Sequence, residues 1–477
     1  MVNEQERSLL VLLTSHWISM LGTALVTLAG SSWLFVLPAH IRGHVDNPYI
    51  GLLIFLIIPV VFFAGLALIP IGIMLAKRRI AAGLAVMQDR KTAWRRVALF
   101  FVGMTVLNVI IGSQGSYRAV QHMETVQFCG QTCHVMKPEF TAHQMAPHQK
   151  VTCVDCHVAP GASGWVKSKM AGTRQLMGVV FNTYPRPIES AMETNRLTPS
   201  AETCEQCHAR EKFMSSRLRV IAKYKDDELN TPTQTVLLML VAGGRNDGIH
   251  GSHLAPGVHM RYAAADKKRQ NIPWVEYRNG DTGVTRTYLA SDAKPDSVRS
   301  LPVFEMQCVD CHNRPAHAFE LPDRAVDDAL ATGQLPFGLP FIKKTGVDLI
   351  KADYKTEEEA EQKIPAGMAS FYRQKYPDVY GNRAADIQTA GQALLAIYSR
   401  NVFPDLKVAW GTYPNNLGHT DYPGCFRCHD DNHRAEDRKT ITQDCSACHQ
   451  ALAVEETSPD ILKTLGVAER IASLQRQ

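Results

Sequence analysis

FCGQTCHVMKPEFTAHQMAPHQKVTCVDCH, Phe128 to His157, decides how this chain is read. Cys153-Val-Asp-Cys156-His157 is a C-x-x-C-H signal, in which two cysteines add to haem vinyl groups and the adjoining histidine reaches the iron. Cys129-Gly-Gln-Thr-Cys133-His134 is the same device with one extra residue between the cysteines. Met136, His143 and His148 lie between the two signals and carry side chains able to bind iron. The stretch begins soon after a long apolar run, so electrons are expected to leave a membrane here and enter a haem chain.

Four further signals lie downstream. They are Cys204, Cys207 and His208; Cys308, Cys311 and His312; Cys425, Cys428 and His429; and Cys445, Cys448 and His449. Six signals use all 12 cysteines, leaving none for a disulfide, a thiol nucleophile or a separate zinc site. One C-x-x-C-H alone could belong to a zinc knuckle; six with no remainder point to six covalently attached c-type haems.

The 477 residues divide by composition. Residues 1–120 are mostly apolar; the rest is polar and rich in Gly, Pro and His. The net charge of +5 is mild and owes much to a basic cluster near residue 90, which argues against a nucleic-acid partner. Three apolar runs, Leu9–Leu37, Tyr49–Ala76 and Val97 to about Tyr117, each meet the roughly 20 residues needed to cross a bilayer. The first is too long for a signal peptide and reads as a retained helix. Lys77, Arg78, Arg79, Arg90, Lys91, Arg95 and Arg96 face one acid, Asp89, in the 77–96 loop, whereas Pro38–Pro48 holds only Arg42. The positive-inside rule therefore assigns the 77–96 loop and the N-terminus to the cytoplasm, and everything after Tyr117 to the periplasmic side of a bacterial inner membrane. Trp33 and Tyr49 suit interfacial positions. His16, His40 and His44 lie at unequal depths and read as ordinary polar or interfacial histidines rather than a membrane haem site.

The expected architecture is a membrane anchor of three transmembrane α-helices (1–120) followed by a mainly α-helical and irregular multihaem cytochrome c domain. That domain would comprise a haem segment over 121–215, an insertion with a small β-hairpin over 216–305, and a C-terminal haem segment over 306–477. Trp274–Tyr288 reads as the hairpin, turning at Asn279-Gly280-Asp281 between β-branched and aromatic runs. Asp323–Thr332, Thr356–Lys363 and Ala384–Arg400 have helical periodicity, and 450–477 reads as a surface helix with a polar tail.

Each iron also needs a distal ligand or an open position. Beyond the attachment and membrane histidines remain His122, His143, His148, His250, His253, His259, His317, His419 and His433. His317, His419 and His433 lie within six residues of an attachment signal and are read as ligands. One of His143 and His148 is expected to ligate, and one or two of His250, His253 and His259. Bis-histidine haems pass single electrons and are closed to substrates.

The segment 125–215 resembles the NapC/NirT-type membrane-anchored multihaem cytochromes, which oxidise quinol and feed periplasmic partners. Cys133-His134-Val135-Met136 is similar to the family's C-H-x-M, where methionine rather than the attachment histidine can bind the first iron. His148-Gln-Lys-Val-Thr-Cys-Val-Asp-Cys-His157 is similar to its second-haem segment. Lys169-Met-Ala-Gly-Thr-Arg-Gln-Leu-Met-Gly178 resembles a helix whose lysine and acid line the quinol site. The resemblance makes Lys169 the candidate quinol contact and sets Gln175 where the family has the acid. An amide cannot take a proton, so Glu139, Asp155 and Glu124 become candidate acceptors, and Lys167 is a second candidate lysine. Read from the residues alone, Lys167 and Lys169 suit a solvated helix face or lipid headgroups. Three crossings, six signals and the widened first signal look more like the larger inner-membrane multihaem quinol oxidoreductases of metal-reducing bacteria.

The resemblance implies oxidation of quinol, such as menaquinol, from the membrane quinone pool, with electrons delivered to periplasmic cytochromes or reductases in anaerobic respiration. Two other readings are an electron-relay subunit docked on a separate quinol-oxidising membrane protein, and a terminal reductase of a small anion.

Overall fold

The computed structural model describes residues 9–41, 57–82, 90–209, 215–242 and 248–466. The chain forms two compact units, Met1–Thr132 and Cys133–Gln477.

The first unit is helical. A short helix, Leu9–Leu13, is followed by α1 (Trp17–Ile41), α2 (Ile58–Ala81) and α3 (Arg90–Met123). The first apolar run is thus broken at 14–16. Thr14 Oγ1 donates to Leu10 O (3.1 Å), Ser15 Oγ to Val11 O, and His16 Nδ1 accepts from Ile18 N–H (3.2 Å), which stops one helix and starts the next. His16 is thereby a local structural histidine, stacked on Trp17. The His40 side chain, His44 and Tyr49 lie outside the described residues.

Among the described residues two helices, α2 and the Lys91–Met123 part of α3, are long and apolar enough to cross a membrane. Their outward faces expose large apolar side chains, Phe63 at 65% and Val109 at 62%, which water would not tolerate in such number. Small residues let α1 and α2 touch: a Cβ on Gly22 would fall 2.6 Å from Gly65 O. A polar clasp joins α1 to α3, where Ser31 Oγ donates to Asn108 Oδ1 (2.6 Å).

The second unit opens with α4 (Lys137–Met145) and the longer α5 (Gly161–Val180). Next come β1 (Ser215–Tyr224), β2 (Pro232–Ala242), α6 (Gly248–Leu254), β3 (Val258–Ala263), β4 (Trp274–Asn279), β5 (Val284–Ala290) and β6 (Val303–Glu305). The hairpin pairs Asn279 with Val284, but it is the middle of a five-stranded antiparallel sheet ordered β6-β3-β4-β5-β7, with β7 at His433–Ala435. A second sheet runs β1-β2-β8, with β8 at His449–Glu456. The C-terminal segment expected to be helical is therefore first a strand; Val236 of β2 and Ala453 of β8 pair and bury each other, and among its described residues only Asp460–Thr464 is helical. Tertiary pairing overrides local periodicity there.

Between the sheets in sequence lie α7 (Pro322–Ala331), α8 (Ile342–Lys351), α9 (Glu357–Lys375) and α10 (Ala384–Asn401). Ala360, Ile364, Met368 and Tyr372 repeat at every fourth position and are fully buried against Ile387, Ala390, Leu394 and Ile397. Thr356 caps α9 by accepting the Glu359 N–H (3.2 Å), with three glutamates in its first turn. Gly391 lets the helices close, since a Cβ there would lie 2.9 Å from Pro365 Cα. Lys343, 3% exposed, is paired with Asp327 at 2.8 Å.

Candidate functional site: paired histidines around the cysteine signals

The attachment signals adopt three local geometries. Cys153–His157 and Cys308–Cys311 are single α-turns fixed by the aspartate of C-V-D-C. Asp155 Oδ2 accepts from Thr152 N–H (2.9 Å), and Asp310 Oδ2 from Gln307 N–H (2.7 Å). Cys204–Gln206, Gly424–Arg427 and Cys445–Ala447 are 3-10 turns. In the first signal, Phe128–Thr132 is a π-turn, whose wider i→i+5 closure takes up the extra residue between the cysteines.

The attachment histidines of the second to sixth signals each face a second histidine. Ring centres are 6.2 Å apart for His157–His317, 5.9 Å for His148–His208 and 6.1 Å for His250–His312. They are 5.8 Å apart for His253–His429 and 6.1 Å for His419–His449. Imidazole nitrogen binds a metal at about 2 Å, and the nitrogen is about 1 Å from its ring centre, so two rings on one iron sit roughly 6 Å apart. The spacing fits.

For three of these rings the tautomer fits as well. His148 Nδ1 faces Pro315 O (3.1 Å), His253 Nδ1 faces Ile249 O (2.7 Å) and His429 Nδ1 faces Thr442 O (2.8 Å). A carbonyl only accepts, so each Nδ1 carries the hydrogen and leaves the Nε2 lone pair for a metal. His449 Nδ1 is buried without a hydrogen-bond partner. Burial lowers the pKa of His253, and of His317 to about 3, where Arg314 adds to the effect.

Three sequence candidates are brought elsewhere. His433 Nε2 donates to Ile272 O (2.7 Å) while Nδ1 meets Asp430 Oδ1 (2.8 Å), so neither nitrogen faces an attachment histidine. His143, also buried, bonds Val151 O through Nε2 (3.0 Å) and approaches the Gln144 amide through Nδ1. His259 lies exposed on β3, 3.5 Å from Glu305. His250 was only one of three alternatives by sequence; its signal was its place one helical turn before His253, on α6, where each ring meets a different attachment histidine.

Most of the cysteines also follow one another in space. Burial, then Cys204 and Asp155, raises the Cys156 thiol pKa. Cys204 and Cys308 share a thiol hydrogen bond. Cys311 neighbours Cys425 and Cys428, and Cys425 neighbours Cys448. Cys207 differs in exposure. Its side chain is exposed, as is that of Cys445, whereas the other ten cysteines are half-buried. The Cys207 backbone N–H closes the 3-10 turn by donating to Cys204 O (3.2 Å). Burial therefore does not single out Cys207 as an attachment point; its pairing with a haem rests on its spacing from Cys204 and His208. A polar cluster ties the fourth and fifth signals: Arg269 Nη1 pairs with Asp310 (3.0 Å), and Arg427 Nη2 donates to Asp310 O (2.7 Å).

Around the first signal, His134 is exposed and Met136 half-buried, in a 3-10 turn leading into α4. On α5, Lys169 Nζ sits 5.4 Å from the Trp165 ring centre, and Gln175 is exposed. Six residues separate Lys169 from Gln175, which sets them on different sides of the helix. Asp155 is engaged by its cap, whereas Glu139 is largely buried and its pKa is pushed up to about 7 by burial, against the pull of Arg314.

Paired signal cysteines and paired histidines define a c-type cytochrome with covalently bound haem. The N-terminal region of the NapC/NirT cytochrome c family matches residues 90–236. Over 447 residues the chain is 38% identical to cytochrome c-type protein ImcH of Geobacter sulfurreducens, covering 91% of this chain and 87% of that one. No solved structure matches. The chain belongs to the NapC/NirT-type cytochromes c, membrane electron-transport proteins.

Proposed function

We propose that this chain is a hexahaem inner-membrane cytochrome that oxidises quinol and passes electrons to periplasmic cytochromes or reductases in anaerobic respiration. The observation that carries the reading is the seat of Cys129. Its Sγ is 4.0 Å from Met123 O, the last residue of the membrane-capable α3, so the first attachment point adjoins the membrane end of that helix. In this reading α1, with its 25 residues, is a third crossing beside α2 and α3. The remainder of the chain faces the periplasm.

The five histidine pairs serve as axial ligands, and His134 or Met136 serves the first iron. Bound haem supplies one-electron carriers. The sequence of neighbouring cysteines, from Cys156 through Cys204, Cys308, Cys311, Cys425 and Cys448, supports a relay that runs in chain order from the second signal to the sixth. Paired ligation argues against a small-anion reductase, which needs an open position. At the quinol end Lys169 donates a hydrogen bond to a quinol oxygen. Gln175, on another side of the helix, is an amide that cannot take the proton, which is left to a carboxylate.

The test is mixing a reduced menaquinol analogue with the detergent-purified full chain. Rapid haem reduction is expected, and none would overturn the proposal in favour of a relay subunit. Lys169→Gln should slow the step about tenfold, ~1.4 kcal/mol, with haem content unchanged.

A further inference from the structure

Among the described residues, Glu139 is the only carboxylate with a buried oxygen, Oε2, that has no hydrogen-bond partner. It stands on α4 facing Arg314, which is 8% exposed. The Arg314 guanidinium lies 4.3 Å from the Tyr413 ring centre, and its Nη1 is 3.3 Å from His317 Nδ1. His317 is the ring opposite His157. Tyr413 is anchored by donating to Ile188 O (2.9 Å). The other charged and titratable groups around this buried patch are Glu193 and Tyr422, which act on Arg314, and His143, which acts on His317. One buried cation thus stands between a carboxyl with one unpartnered oxygen and the His317 ring.

We propose that Glu139 binds a proton when the iron held by His157 and His317 gains an electron, with Arg314 standing between the two sites. The inference rests on the paired-ligand reading. An added electron cancels one positive charge at the iron site, so less positive potential reaches Glu139. Its ionised form then loses stabilisation and protonation becomes easier. The balance is simple. One electron arrives from the preceding carrier, one proton arrives from solvent, an O–H bond forms at Glu139, and both leave on reoxidation. Burial already holds this carboxyl near neutrality, where small changes in field move its proton.

The experiment is electrochemical infrared difference spectroscopy of the full chain in detergent, with redox titrations at several pH values. Reduction should produce a protonated-carboxyl C=O band. One midpoint potential should fall with rising pH, by at most tenfold in its equilibrium constant per unit, about 59 mV. Glu139→Gln should lose the band and the slope while keeping haem content and low-spin electron paramagnetic resonance signals; Glu139→Asp should keep part of both. No such band in the unmodified protein, or a band and slope that survive Glu139→Gln, overturns the proposal. His317→Met separates the two readings. If it leaves every low-spin signal unchanged, the ligand assignment falls and the proposal falls with it; if one signal changes but Glu139→Gln has no effect, only the proposal falls.

Discussion

The helices over 322–402 and the cysteine-bearing segments on either side of them are held together in different ways. The helices bury Leu394, Ile364, Met368 and their neighbours completely, in the i, i+4 pattern of an ordinary core. The cysteine segments are single turns and 3-10 turns joined by polar links such as Arg269–Asp310 and Arg427–Asp310, with histidine rings held about 6 Å apart. One region needs nothing but its own side chains. The other is shaped around a cofactor that supplies apolar surface and covalent ties.

Breaking the comparison starts with the largest effect. Replacing both Cys308 and Cys311 by Ala should remove one haem per chain in a haemochrome assay. Hydrogen exchange should then rise over 248–317, where the His250–His312 pair lies, while 322–402 stays protected. Equal loss of protection in both regions would show that the helical core depends on the cofactor too.

A smaller effect is expected from His253→Leu. It should convert one low-spin haem to high spin and leave thermal unfolding of the helices unchanged. Leu394→Ala should do the reverse: about 3 kcal/mol of destabilisation by cavity formation, read by denaturant unfolding, with the haem spectrum intact. Thr356→Ala, which removes the α9 cap, should cost about 1 kcal/mol on the same readout.

The attachment signals were legible because each is contiguous: six residues or fewer contain the whole device. Cys207, which is exposed, is read as an attachment point on its spacing alone. The helices α7, α9 and α10 were legible from periodicity, although α8 was missed and α9 runs on to Lys375, past Pro365. The distal histidines were less legible. Nearness along the chain pointed to His317 and His419, which face His157 and His449, but equally to His433, whose two nitrogens are taken by Asp430 and Ile272. It also hid the pairing, since His317 follows His312 yet faces His157, and His148 precedes Cys153 yet faces His208. The strand at His449–Glu456 was missed because its partner, β2, lies more than 200 residues earlier.

The sequence by itself determined the covalent chemistry, the apolar helices and the family, since these depend on residues adjacent in the chain or on composition over one span. Tertiary structure alone decided which histidine faces which, the order in which the cysteines neighbour one another, and the burial of Glu139 beside Arg314. Those depend on distances between residues far apart in sequence, and on how much water the fold leaves around a charge.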